Sequence, residues 1–134
     1  MAPVTPVAAA LCAALLGLLA AVLTVRVILN RVRTGIQAGD GGDARLAQAI
    51  RAHANLAEQA PLALLLLALA EAGGTPTAWI YGLGLALLVG RLASAWGLSG
   101  SLGPTAPRQA GAGLTIAVVT ATSLLLLYRL LLAR

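Results

Sequence analysis

The chain has 134 residues, of which 60% are hydrophobic and only 10% charged, with a formal net charge of +5. A soluble domain carries roughly 25% charged residues, so these few cannot coat a water-facing surface, and lipid is the natural solvent. All the basic residues are arginines standing at the ends of apolar runs, with few aromatics to stack on bases, which argues against nucleic acid as a partner. The single cysteine, Cys12, excludes an internal disulfide and a four-cysteine metal site.

A hydrocarbon core about 30 Å thick needs roughly 20 apolar residues in a helix. Four segments approach that length. The first helix is expected over 6–32, with Pro3 and Pro6 before it. It has no basic leader and is too long for a secretory signal, so it reads as a transmembrane helix. A Gly- and Asp-rich loop, TGIQAGDGGD, follows at 34–43. Asp40 and Asp43 have no further acid partners for a cation, and Asp43 reads as the cap of the next helix. The second helix is expected over 44–72, polar at first and almost purely aliphatic from Leu62 to Ala70. Glu71, at its far end, reads as interfacial. Gly73 and Gly74 make a tight turn. The third helix is expected over 76–98, with Thr75 as N-cap and Pro76 at the first helical position. Trp79 and Trp96 read as interfacial anchors at its two ends, and Gly82, Gly84, Gly90 and Gly97 as sites of close helix packing. A Gly/Ser/Pro loop leads to a fourth helix over 107–132. Open strand edges are not tolerated in lipid, so the fold class is an all-α, four-helix transmembrane bundle in one domain.

Seven arginines (26, 31, 33, 45, 51, 91 and 108) flank the first and third loops, and two (129 and 134) lie at the other end. The positive-inside rule therefore places loops one and three in the cytoplasm and both termini outside. The absence of lysine points to a high-GC bacterial gene, hence to a bacterial inner membrane.

The most informative stretch is Arg51 to Pro61, RAHANLAEQAP. At 100° per residue, Arg51, Asn55 and Glu58 fall within about 60° of one another, and Gln48 joins the same face. His53 points elsewhere. It is the single histidine, with no second His or Cys ligand near it, so no metal site is expected. Charges at membrane depth need partners or a water-filled pocket. The column is either an Arg–Glu pair at a helix contact or a site for a small zwitterion. In a site, Arg would hold a carboxylate, Glu an ammonium and Asn an amide.

The motif R-A-H-x-N-x-x-E followed by Pro resembles the second-helix signature of the MAPEG family, the membrane-associated proteins in eicosanoid and glutathione metabolism. The four hydrophobic helices, the basic end of helix one, the Gly/Asp loop and an Arg near the end of helix three match as well. The resemblance implies a homotrimer, with glutathione, or another low-molecular-weight thiol, in a cleft between subunits on the cytoplasmic side. It implies a glutathione-dependent transferase or peroxidase, whose further partners are membrane lipid and a small lipophilic electrophile. The family's tripeptide-binding column maps onto Arg51, Asn55 and Glu58, with Gln48 on the same face. Its thiol-activating arginine maps onto Arg108, and the basic end of helix one onto Arg31 or Arg33. Arg91 resembles another position lining the site, and Ser94 could supply one hydroxyl. The chain departs from well-studied members at Gln59 after Glu58, and at Ser94 and Leu98, where His or Tyr often stand. Two other readings stand beside the enzyme. One is a family fold that has lost catalysis and binds lipid or a partner. The other is a small transporter using an intramembrane carboxylate, against which Glu58 near Arg51 argues.

Overall fold

Long apolar runs leave a backbone in lipid no water to bond, so each run closes its own hydrogen bonds as a helix. The computed structural model describes residues 5–131, and these fold into α1 (Val7–Thr34), α2 (Ala44–Ala72), α3 (Thr77–Gly100) and α4 (Ala106–Leu131). All four are long and apolar enough to cross a membrane. α2 and α3 form the centre. α1 packs on both from one side, α4 packs on both from the other, and among the described residues α1 and α4 do not touch. The core consists of small and aliphatic side chains, among them Leu16, Leu23, Leu56, Leu67, Leu87 and Val118. Aliphatic side chains also cover the outside, including Leu18, Val22 and Val32 of α1 and Ile116, Leu124 and Leu130 of α4. That surface suits hydrocarbon and not water.

The helix ends differ from the sequence expectation in instructive ways. α1 continues past the expected residue 32 to Thr34, where Gly35 adopts a left-handed φ of 72° and donates its N–H to Arg31 O. This is the glycine C-cap that a side chain would strain. α3 begins at Thr77, not at Pro76. Pro76 itself is the cap residue, with no side-chain bond, and Thr75 is buried with its hydroxyl unpartnered. Thr75 therefore does not cap. α3 also runs on to Gly100, two residues past the expected end. α4 starts one residue early, at Ala106, and residue 132, its expected end, lies outside the described residues.

At the end of the bundle opposite the first loop, Glu71 is not interfacial but buried, at 1% exposure. Its Oε1 accepts the Ala8 N–H at 3.1 Å and its Oε2 the Ala9 N–H at 2.9 Å. α1 has no side-chain cap of its own, so a carboxylate from α2 takes up its unpaired amides and meets the positive end of its dipole. Arg129 Nη1 in turn donates to Gly73 O at 2.9 Å, tying α4 to the end of α2. At the other end, Arg26 donates to the Ser99 hydroxyl and, at 3.4 Å, to Ser99 O, tying α1 to α3.

Close approach is concentrated where α3 meets α4. Gly90 and Gly111 face each other, and a Cβ at Gly111 would fall on Gly90 O and Ser94 Oγ. Gly84 lies against Cys12, whose thiol donates to Gly84 O at 3.4 Å, and Gly97 lies against Thr105 and Arg108. Gly82 is the exception among the packing glycines expected in α3: its missing side chain faces open space.

Two outcomes follow from these contacts. Glu71→Ala removes a charged acceptor for two buried amides and is expected to cost roughly 2 kcal/mol or more, lowering the thermal midpoint in detergent. Gly111→Ala is expected to lower that midpoint further than Gly113→Ala, because a Cβ at Gly113 meets nothing within 4 Å. Equal midpoints for the two glycine variants would contradict the α3–α4 packing.

Candidate functional site

The polar half of α2 faces in two directions. On a helix wheel Gln48 and Asn55 lie about 60° from Arg51 and Glu58, and that offset separates two roles. Asn55 turns toward α3, and Gln48 Nε2 reaches Gly100 O at 3.4 Å. Arg51 and Glu58 face outward, with side chains 47% and 57% exposed and Nη1 to Oε1 separated by 3.9 Å. At that distance and exposure the pair contributes little stability, and both groups retain most of their hydrogen-bonding capacity.

Behind this exposed pair lies the most buried arginine among the described residues. Arg91 of α3 is 2% exposed and sits nine residues short of Gly100, about 13 Å along the helix axis. Its Nη1 donates to Asn55 Oδ1 at 2.9 Å. Its Nη2 donates to Ser94 Oγ at 3.2 Å and to Gly111 O at 3.0 Å. One guanidinium thus joins α2, α3 and α4. All three acceptors are neutral, no carboxylate pairs with it among the described residues, and its Nε has no partner. A buried cation of this kind is held by dipoles alone, which is costly unless anionic charge stands nearby.

The remaining candidates lie nearer the loops. Arg31 Nη1 donates to Ile36 O and Gly39 O, both at 3.1 Å, folding the first loop back on the end of α1. Arg33 pairs with Asp43 at 2.8 Å, and Asp43 accepts the Leu46 N–H at 2.8 Å as the cap of α2. The Leu46 amide first, and then Arg33, hold the Asp43 carboxyl below the usual carboxylate range. Asp40 is occupied within the loop, accepting the Gly42 N–H at 2.9 Å. Arg108, in the first turn of α4, donates through Nη1 to Leu102 O at 2.9 Å and Gly103 O at 3.3 Å, which steadies the third loop. Its backbone rests on Gly97, six residues beyond Arg91, or about 9 Å along α3.

The fold therefore brings Asn55, Arg91 and Ser94 into direct contact, sets Arg51 and Glu58 beside them on the surface, and gives Arg31, Arg33, Gln48 and Arg108 loop and helix-end contacts at the same end of the bundle. Sequence reasoning missed the Gly111 carbonyl as a partner of Arg91. The only signal was a small residue, in QAGAG, on the helix that packs there. His53 stands half-buried and off this face. No group of His, Cys, Asp and Glu that could hold a metal occurs among the described residues.

A loosely paired zwitterionic patch, an amide and a buried arginine on adjoining transmembrane helices can hold a small ligand carrying both charges. Comparison with known proteins gives the family. The model of the MAPEG family matches residues 9–128. The chain is 36% identical over 88 residues to Inner membrane protein YecN of Escherichia coli strain K12, a match covering 66% of this chain and 67% of YecN. The YecN of Escherichia coli O6:H1 strain CFT073 matches with the same figures. No solved structure matches. With four membrane-spanning helices and a family match over nearly its whole length, this multi-pass membrane protein belongs to the MAPEG family.

Proposed function

We propose that the protein is a glutathione-dependent transferase or peroxidase acting on lipophilic electrophiles in a bacterial inner membrane. The observation that carries this reading is the Arg51–Glu58 pair, about half exposed on a transmembrane helix with Asn55 beside it. In hydrocarbon such a pair demands a polar cover. A homotrimer, with a neighbouring subunit and a bound thiol completing each site, supplies one. Family membership supports the thiol chemistry, and the name of the YecN relative supports the inner membrane.

The residues fit a tripeptide thiol. Arg51 offers a planar fork to a carboxylate. Glu58 offers an acceptor to an ammonium, and Asn55 an amide. Arg108 has Nε and Nη2 without a partner among the described residues. A guanidinium placed beside a thiol favours its ionised form. The thiolate then attacks an electrophilic carbon and displaces its leaving group, or attacks a hydroperoxide oxygen, breaking the O–O bond to release an alcohol and leave a sulfenic acid that a second thiol converts to disulfide and water. The positive-inside pattern of Arg26, Arg31, Arg33, Arg45 and Arg51 puts this end of the bundle in the cytoplasm, where thiols are kept reduced.

One observation favours the alternative of a family member without catalysis. The Ser94 hydroxyl, the one candidate to replace a family aromatic or imidazole, already accepts from Arg91 and stands buried. The two readings part in one assay. Purified protein in detergent is given glutathione and a generic aryl halide, and conjugate formation is followed for the wild type and Arg108→Ala. The enzyme reading expects saturable turnover, reduced at least tenfold in Arg108→Ala. Turnover no faster than the uncatalysed rate leaves the non-catalytic reading in its place.

A further inference from the structure

The Asn55 carboxamide has two chemically different ends, and its neighbour in the core dictates which of them faces out. A guanidinium is a donor only. Arg91 Nη1 meets the Asn55 side chain at 2.9 Å, so the oxygen of Asn55 must face inward, whatever else surrounds it. The amide nitrogen then points away from Arg91. It makes no hydrogen bond among the described residues. It is also absent from the buried atoms left without a partner, which among the described residues are Thr75 Oγ1, Arg91 Nε and Thr105 Oγ1. Asn55 itself is only half-buried. Its two N–H donors are therefore left without a protein partner among the described residues, on a residue about 40° around α2 from Arg51 and about 60° from Glu58.

We infer that Arg91 is a positioning residue. By fixing the amide orientation of Asn55, it makes the site a set of donors, Arg51 and the Asn55 nitrogen, beside one acceptor, Glu58. Such a site takes a ligand that presents a carboxylate or carbonyl to Asn55 and Arg51 and an ammonium to Glu58. A ligand needing an acceptor at the Asn55 position is disfavoured, because the oxygen is turned inward onto Arg91. Arg91 is itself anchored, through Ser94 and Gly111 O, to α3 and α4. The orientation is thus set by the packing of three helices and not by the ligand, and the donors stand ready before anything binds. This inference rests on the thiol reading proposed above.

The test separates positioning from mere support of the fold. Glutathione affinity is measured by calorimetry on the detergent-purified protein, with thermal midpoints taken in parallel, for the wild type and three variants. Asn55→Asp still accepts from Arg91 and gains an opposite charge, so its midpoint is expected to hold or rise. It has no outward donor, so its affinity is expected to fall at least tenfold. Arg91→Lys, also a donor only, is expected to keep the amide turned inward and to retain affinity within about threefold. Arg91→Met frees the amide to turn and is expected to lose affinity at least tenfold. Wild-type binding that persists unchanged in Asn55→Asp, or an equal loss in Arg91→Lys and Arg91→Met, overturns the inference while leaving the thiol reading intact. Absence of wild-type binding at millimolar glutathione overturns the thiol reading, and the inference with it.

Discussion

A charged side chain placed inside a membrane bundle has to draw its hydrogen bonds from protein, because lipid supplies none. Arg91 imposes that requirement on three helices at once. Its guanidinium holds Asn55 of α2, Ser94 of its own helix and the Gly111 carbonyl of α4. The α3–α4 contact must be close enough for a backbone carbonyl to reach it, and the facing glycines at positions 90 and 111 permit that approach. The α2–α3 contact must keep Asn55 in register with Arg91, and the core of α2 and α3 packs around that register. The site and the fold therefore share their central interaction.

The two ends of the bundle are secured by a different device, with side chains from one helix closing the termini of another. Glu71 of α2 closes α1, Arg129 of α4 closes the end of α2, and Arg26 of α1 reaches Ser99 of α3. Each bond satisfies backbone or hydroxyl groups that lipid would leave unpaired. They also help α1, which packs on α2 and α3 but not on α4, to hold its place. What the single chain leaves uncovered is the Arg51–Glu58 face. On the proposed reading that face is completed by a neighbouring subunit and a small thiol, so assembly and ligand binding meet at one surface.

Much of this was legible from the order of residues. Apolar runs of membrane length and the Gly-, Asp- and Pro-bearing loops between them fall where the helices and connections stand, and Asp43 caps α2 as its chemistry suggests. The helix wheel groups Gln48, Arg51, Asn55 and Glu58 on one broad face. It could not say that the face is split by a neighbour, because a wheel carries angles and no partners. That neighbour is Arg91, and its third acceptor is a backbone carbonyl, which has no residue signature at all. Glu71 misled for a related reason. A carboxylate near the end of an apolar run looks interfacial until another helix brings its unpaired amides to it. Thr75 failed as a cap because Pro76 takes the cap position itself, leaving the threonine hydroxyl buried and unpartnered. Arg31, Arg33 and Arg108 were expected at a ligand. In the single chain they also make loop and cap contacts, which charge placement alone does not reveal.

The central claim is that the exposed polar column of α2 is half of a site, completed by another copy and by a thiol. The most direct measurement is native mass spectrometry of the protein released from detergent, with and without glutathione. The account predicts a mass of three chains and, with glutathione, up to three adducts that an Arg51→Ala, Glu58→Ala double variant does not acquire. A monomer that gains no adduct would contradict it.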